Sequence, residues 1–262
     1  MSDRVTIEVS NHVANVRLNR AHKHNAIDMK MFEALADAAD TVAADSSVRA
    51  VVLGAEGDNF CAGIDMGMFA AKIDFHGLLD RSSGESPANV FQRAAYAWRE
   101  IPIPVICALR GIVYGGGLQI ALGADIRYAA PGTRLSIMEI KWGLIPDMSM
   151  TTTLRHIMPV DKVKELTFSG AVFDVDEALR YGVITAIHDD PLAAANDLAG
   201  VIAAKSPDAV RAAKRLVNSA WDLPEAEALR LEATLQKALI GSPNQLESVM
   251  ANMQKRQPNY RD

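Results

Sequence analysis

The stretch Gly111-Ile112-Val113-Tyr114-Gly115-Gly116-Gly117-Leu118-Gln119 decides how this chain is built. It follows an apolar run at residues 105–109, which has the character of a strand buried on both faces. Pro102 and Pro104 end a helical pattern over residues 89–99 and lead into that strand. The glycine triplet then opens a helix, so free N–H groups and the positive end of a helix dipole face outward. A buried strand feeding a helix points to a mixed α/β fold. The triplet is no nucleotide fingerprint. Position 120 is Ile where G-x-G-x-x-G needs Gly, and no G-x-x-x-x-G-K-S/T occurs.

Strands and helices continue on either side of this centre. Val5, Ile7 and Val9 alternate with polar residues, and residues 13–18 resume the extended pattern, which predicts a β-hairpin. Asp28 is placed to cap a helix in which Phe32, Leu35, Ala39 and Val42 recur at helical spacing. Residues 50–53 predict a buried strand, and further strands are expected at 125–129 and 182–187. Residues 74–89 differ, because Ser82-Ser83-Gly84-Glu85-Ser86-Pro87 has the composition of a mobile surface loop. From about residue 190 helical patterns take over, at 192–204, 207–217, 224–240 and 243–256, with Pro207, Pro224 and Pro243 at first-turn positions. The organisation expected is a core over 1–190 and a helical region over 191–262.

Composition excludes several classes. The 262 residues carry 27 Lys and Arg against 32 Asp and Glu, a net charge of −5, which disfavours a nucleic-acid surface. Every long apolar run is broken well short of a membrane span. The opening residues lead straight into a strand pattern rather than an apolar signal core, so a cytoplasmic protein is expected. Cys61 and Cys107 are the only cysteines and form no disulfide scaffold. No H-E-x-x-H, cysteine–histidine zinc spacing or G-x-S-x-G occurs, so no metal site is expected.

Three segments combine a permissive backbone with polar groups. The first is Phe60-Cys61-Ala62-Gly63-Ile64-Asp65-Met66, whose small residues let a ligand approach the main chain. The second is the glycine stretch above; N–H groups from the two could together hold a developing oxyanion. The third, residues 137–147, places Glu139 and Asp147 in an apolar loop. Gly143 and Pro146 argue against a continuous helix there. A carboxylate in apolar surroundings has a raised pKa and exchanges protons near neutrality. Taken singly, each has a plainer role: glycines for close packing, Glu139 for an ion pair with Lys141, Asp147 as a helix cap ahead of 149–154. Their co-occurrence in order makes the chemical reading competitive.

The ordered set resembles the crotonase (enoyl-CoA hydratase/isomerase) superfamily. Asn19-Arg20 with Asn25-Ala26-Ile27-Asp28, the 59–66 segment, Gly115-Gly116-Gly117 with Ala124-Asp125-Ile126, and Glu139-Ile140 with Gly143-Leu144-Ile145-Pro146 carry the likeness. It implies a crotonase-like (ClpP/crotonase) spiral of ββα units with a C-terminal α-helical trimerisation region, as a homotrimer or a hexamer formed as a dimer of trimers. It implies an acyl-CoA thioester substrate in fatty-acid metabolism, with coenzyme A part of the substrate and no separate cofactor. By position, the N–H groups of Ile64 and Gly116 would form the oxyanion hole. Ala26, Ala62, Gly63, Asp65, Gly115, Gln119, Trp142 and Leu144 would contact substrate, with Met68 and Phe69 as further candidates for an apolar pocket.

The acids distinguish branches of the family. Hydratases use two glutamates, and here the second matches Glu139 while the first falls at Gln119. Gln neither gives nor takes a proton at neutral pH. An acid at position 147 resembles the Δ3,5-Δ2,4-dienoyl-CoA isomerases, although the third acid of that branch also falls at Gln119. Dienoyl-CoA isomerisation by Glu139 and Asp147 is therefore the expectation. The alternatives are a 2-enoyl-CoA hydratase (a lyase) working through Glu139, a Δ3-Δ2 isomerase, or a non-catalytic CoA- or RNA-binding member of the fold.

Overall fold

The computed structural model describes residues 3–71, 73–80 and 86–262. The expected hairpin forms: β1 (Val5–Ser10) pairs antiparallel with β2 (Val13–Leu18). Asp28 caps α1 (Met29–Ala44) by accepting from the Met31 N–H at 2.9 Å. Such a cap contributes about 1 kcal/mol. β3 (Ala50–Ala55) follows and lies parallel to β2. Two short helices come next, α2 (Gly67–Ala70) and α3 (Phe75–Leu79). α3 begins at Asp74, whose carboxylate accepts from the Gly77 N–H. So part of the stretch expected to be loop is helix, and residues 82–85 lie outside the described residues.

α4 (Val90–Glu100) has a capping box between Asn89 and Gln92. The decisive stretch then unfolds as β4 (Val105–Leu109), β5 (Ile112–Tyr114) and α5 (Gly116–Gly123). β6 (Ile126–Ala129) and β7 (Arg134–Ser136) lead to α6 (Met150–Thr153) and α7 (Val160–Ser169). β8 (Val172–Asp174), α8 (Val175–Arg180) and β9 (Ala186–Ile187) complete this region. The strand expected over 182–187 shrinks to its last two residues. Gly182 turns at a φ of 78°, and the N–H of Val183 bonds the Ala178 carbonyl at the end of α8. The apolar residues Val183 and Ile184 thus bury a helix end rather than join a ladder.

Among the described residues the strands form two sheets, ordered β1-β2-β3-β4-β6-β9 and β5-β7-β8. Consecutive strands alternate between them: β4 joins the first and β5 the second, then β6 the first and β7 the second. This alternation winds the chain as a spiral of ββα turns. The main core lies between the larger sheet and α1, α4 and α5, around the fully buried Phe32, Leu35, Trp98 and Leu109. Burying each such side chain contributes roughly 1.5–3 kcal/mol.

Four helices close the chain: α9 (Pro191–Ala203), α10 (Pro207–Ala220), α11 (Glu225–Leu239) and α12 (Pro243–Met253). Pro207 and Pro243 stand in the first turn behind Ser206 and Ser242, as expected. Pro224 stands one step earlier, as the N-cap of α11. α9 packs on the other face of the large sheet. Its Ala195 and Ala199, one turn apart, meet Val52 and Ile106. α10 is tied in by Lys214, whose ammonium lies 2.8 Å from Asp125 and donates to the carbonyls of Trp98 and Ile103. No described helix is long and apolar enough to cross a membrane.

Candidate active site

The first segment is held as if it were a strand. The Cys61 N–H donates to Ile112, and the Tyr114 N–H to Cys61, so the loop runs parallel beside β5. The Ile27 N–H donates to Gly63 and the Asp65 N–H to Ile27, both at 2.8 Å. These bonds fix the residues on either side of Ile64. Its own N–H donates to no described protein group. Gly63 adopts a φ of 92°, and a Cβ there would stand 3.0 Å from the Tyr114 carbonyl oxygen. Only glycine meets both conditions without strain.

The second segment presses onto the first. A Cβ on Gly117 would stand 2.7 Å from the Cys61 Cβ, so α5 starts directly against the loop. The Gly115 N–H bonds Ser136, and the Gly116 N–H at the start of α5 has no described protein acceptor. Ile64 and Gly116 therefore both carry an unclaimed N–H, and both border the same cavity of about 830 Å³.

The third segment is a one-turn 3-10 helix at Glu139–Trp142, closed by Gly143 in the left-handed region. The expected break in helicity is present. Gln119, projecting from α5, organises this segment. The Met148 N–H donates to Gln119 Oε1 at 2.8 Å, and Gln119 Nε2 donates to Glu139 Oε1 at 2.6 Å. A backbone N–H only donates, so the amide is oriented with its NH₂ toward the carboxylate. Glu139 Oε2 is buried without a partner. Burial is the main influence raising the Glu139 pKa; the Gln119 bond opposes it and the charge of Asp147 adds to it. Burial likewise raises the Asp147 pKa.

Neither plain role suggested for the acids holds. Glu139 has no described ion pair, and α6 takes Ser149, not Asp147, as its N-cap. Both acids border the cavity, as do Ala26, Ala62, Gly63 and Asp65 from the first part of the chain. Gly115, Gln119, Trp142 and Leu144 border it from the later part. Met68 does not; it is a buried core residue, 5% exposed, while Phe69 faces the cavity. The two cysteines are buried, and burial pushes the Cys61 thiol up to about 12, so it stays protonated and unreactive. No trio of His, Cys, Asp or Glu among the described residues is arranged to hold a metal ion.

Sequence patterns did not single out two features. Arg20 donates to Asp65 at 2.7 Å and to the Ala26 carbonyl at 2.9 Å, clamping the loops on both sides of Ile64. Phe32, Phe75 and Phe91 line the cavity, although Phe32 and Phe91 have the helical spacing of core residues and Phe75 lies in the stretch expected to be loop.

The sequence pattern that defines the enoyl-CoA hydratase/isomerase family matches residues 8–262. This chain belongs to the enoyl-CoA hydratase/isomerase family. Among its relatives, the mouse (Mus musculus) mitochondrial Delta(3,5)-Delta(2,4)-dienoyl-CoA isomerase is 31% identical over 94% of this chain and 77% of its own. The mouse mitochondrial methylglutaconyl-CoA hydratase is 30% identical over 93% and 78%. The crystal structure of a putative enoyl-CoA hydratase from Streptomyces coelicolor A3(2) superposes with a TM-score of 0.90 at 30% identity, covering 100% of this chain and 95% of that one. The crotonase-type spiral expected from the sequence is therefore the fold of this family member. Isomerases and hydratases lie at nearly equal distance, so the reaction must be argued from the site.

Proposed function

We propose that the cavity takes an acyl-CoA thioester and moves the double bonds of a 3,5-dienoyl group to the 2,4 positions. One observation carries this choice over hydration. Gln119 has both ends of its amide committed, to Met148 and to Glu139, so it handles no proton. Of the other two acids that border the cavity, Asp65 is held by Arg20, which leaves Asp147 as the partner of Glu139.

The steps balance without a co-reactant. One carboxylate takes a proton from C2. The electron pair shifts through the diene and the thioester oxygen gains charge, which the Ile64 and Gly116 N–H groups hold by hydrogen bonding. The other carboxyl gives a proton to C6. Glu139 is assigned the base, because the bond from Gln119 favours its charged form. Asp147 is assigned the acid, because burial favours its neutral form and no side chain donates to it. Burial raises the pKa of both acids, and only at Glu139 does a side-chain donor, Gln119, counter that rise.

The test is a side-by-side spectrophotometric assay with 3,5-dienoyl-CoA and 2-enoyl-CoA substrates. Dienoyl conversion is expected to dominate. Asp147→Asn is expected to abolish it, a loss of at least about 100-fold, with the circular dichroism of the fold unchanged. Full activity in that variant, or faster hydration than isomerisation in the native protein, would give the reaction to the hydratase alternative. For the exposed apolar surface of the later helices, assembly into a homotrimer or a dimer of trimers is the matching proposal.

A further inference from the structure

Four phenylalanines from four different helices meet in one wall of the cavity. Phe69 of α2 stacks on Phe75 of α3, with ring centroids 5.6 Å apart and planes 24° apart. Phe75 lies 6.1 Å and 25° from Phe91 of α4, and Phe91 meets Phe32 of α1 edge-on at 5.0 Å. All four border the cavity. The inner two are core-like, Phe32 at 2% exposed and Phe91 at 5%, whereas Phe69 stays 44% exposed. A water-facing ring at the open end of a continuous apolar wall gains from being covered by hydrocarbon.

Charge points the same way. Lys23 is the only Lys or Arg among the described residues bordering the cavity, and it sits in the 3-10 turn before α1, on none of the helices that supply a phenyl ring. Three acids also border it: Glu139, Asp147 and Asp65, the last paired with Arg20. Phenyl rings offer no hydrogen-bond donor, so a carboxylate laid against them loses its water without replacement.

We infer that the Phe32–Phe69–Phe75–Phe91 wall selects acyl-CoA thioesters whose acyl tail is an uncharged hydrocarbon, extended or aryl-terminated, over short or carboxylated acyl groups. This rests on the acyl-CoA reading of the cavity and sharpens it, but does not depend on which double bonds move.

Saturated thioesters, which cannot react, separate the two questions. Isothermal titration would compare coenzyme A, butyryl-CoA, decanoyl-CoA, 4-phenylbutyryl-CoA and succinyl-CoA on the native protein. Decanoyl-CoA or phenylbutyryl-CoA is expected to bind at least about tenfold tighter than butyryl-CoA, and succinyl-CoA weaker than butyryl-CoA. Whichever hydrocarbon binds tighter identifies the tail as straight or aryl. Phe69→Ala, at an exposed position that is not part of the packed core, is expected to lower the decanoyl-to-butyryl affinity ratio about tenfold. Neither decanoyl-CoA nor 4-phenylbutyryl-CoA binding tighter than butyryl-CoA, or succinyl-CoA binding as tightly as butyryl-CoA, would overturn the inference and leave the proposed function standing. Failure of coenzyme A and every thioester to bind would remove both.

Discussion

Gln119 is the residue on which the proposed chemistry turns, because its amide cannot ionise and instead clamps Glu139. Replacing Gln119 with Leu removes a bond that favours the Glu139 carboxylate, so the Glu139 pKa rises further. The rising limb of the pH–rate profile, which reports loss of a proton from the base, then moves to higher pH. An unmoved limb would mean that Glu139 is not the base. The same change leaves the buried Met148 N–H without an acceptor, at a cost of about 1–3 kcal/mol of stability. Glu139 itself is held at the expense of stability. Its folded pKa lies above the unfolded value, so stability is fully present at pH values below the unfolded pKa and is lost as pH rises through the folded one. Glu139→Gln is therefore expected to match the native protein in thermal melts near pH 4 and to exceed it at pH 8. The expected gain is about 1 kcal/mol, or about 2–4 °C, while activity is lost. A variant no more stable at pH 8 would show that the site carries no such strain.

At the scale of elements, the site consists of backbone held open by glycine. Gly63 and Gly115 both have positive φ, and each would set a Cβ against the opposing segment, at the Tyr114 carbonyl and at Glu139 Oε1 respectively. Gly63→Ala is expected to cost about 1–2 kcal/mol in strain and to turn the neighbouring Ile64 N–H. The rate should fall about 10²–10³-fold, as when an oxyanion donor is lost, with a smaller change in KM. An unchanged rate would separate Ile64 from the chemistry. These elements also show what the sequence could reveal. The Asp28 cap, the buried runs of β3 and β4, the glycine-opened α5 and the broken helix after Glu139 are local, so residue order alone displays them. Other features depend on distant partners. Arg20 meets Asp65 across 45 positions and Gln119 meets Met148 across 29, and no spacing rule joins them. Val183 and Ile184 looked like a strand because burial against a helix end and burial in a sheet select the same residues. Phe32 and Phe91 line a cavity with side chains that periodicity assigns equally well to core.

For the whole molecule, the unresolved energy lies on the surface. Phe168 of α7 is 71% exposed and Trp221, just after α10, 73%, and Met253 at the end of α12 is 80% exposed. Isolated exposed hydrophobes are ordinary, but rings this large left in water are what a protein–protein contact covers. α7 also packs on the 3-10 turn that carries Glu139, where a Cβ on Gly170, at the end of α7, would stand 2.9 Å from Ile140. A neighbouring subunit seated on α7 would thus brace the turn that presents Glu139, the proposed base. Light scattering is expected to give a mass of three or six times 28.3 kDa. Phe168→Asp is expected to shift that mass toward the single chain and to lower kcat at dilute protein, with recovery at high concentration, because assembly follows mass action. A native protein that runs as a single chain, fully active at every dilution, would show that the Glu139 turn needs no neighbour and that the exposed rings serve some other contact.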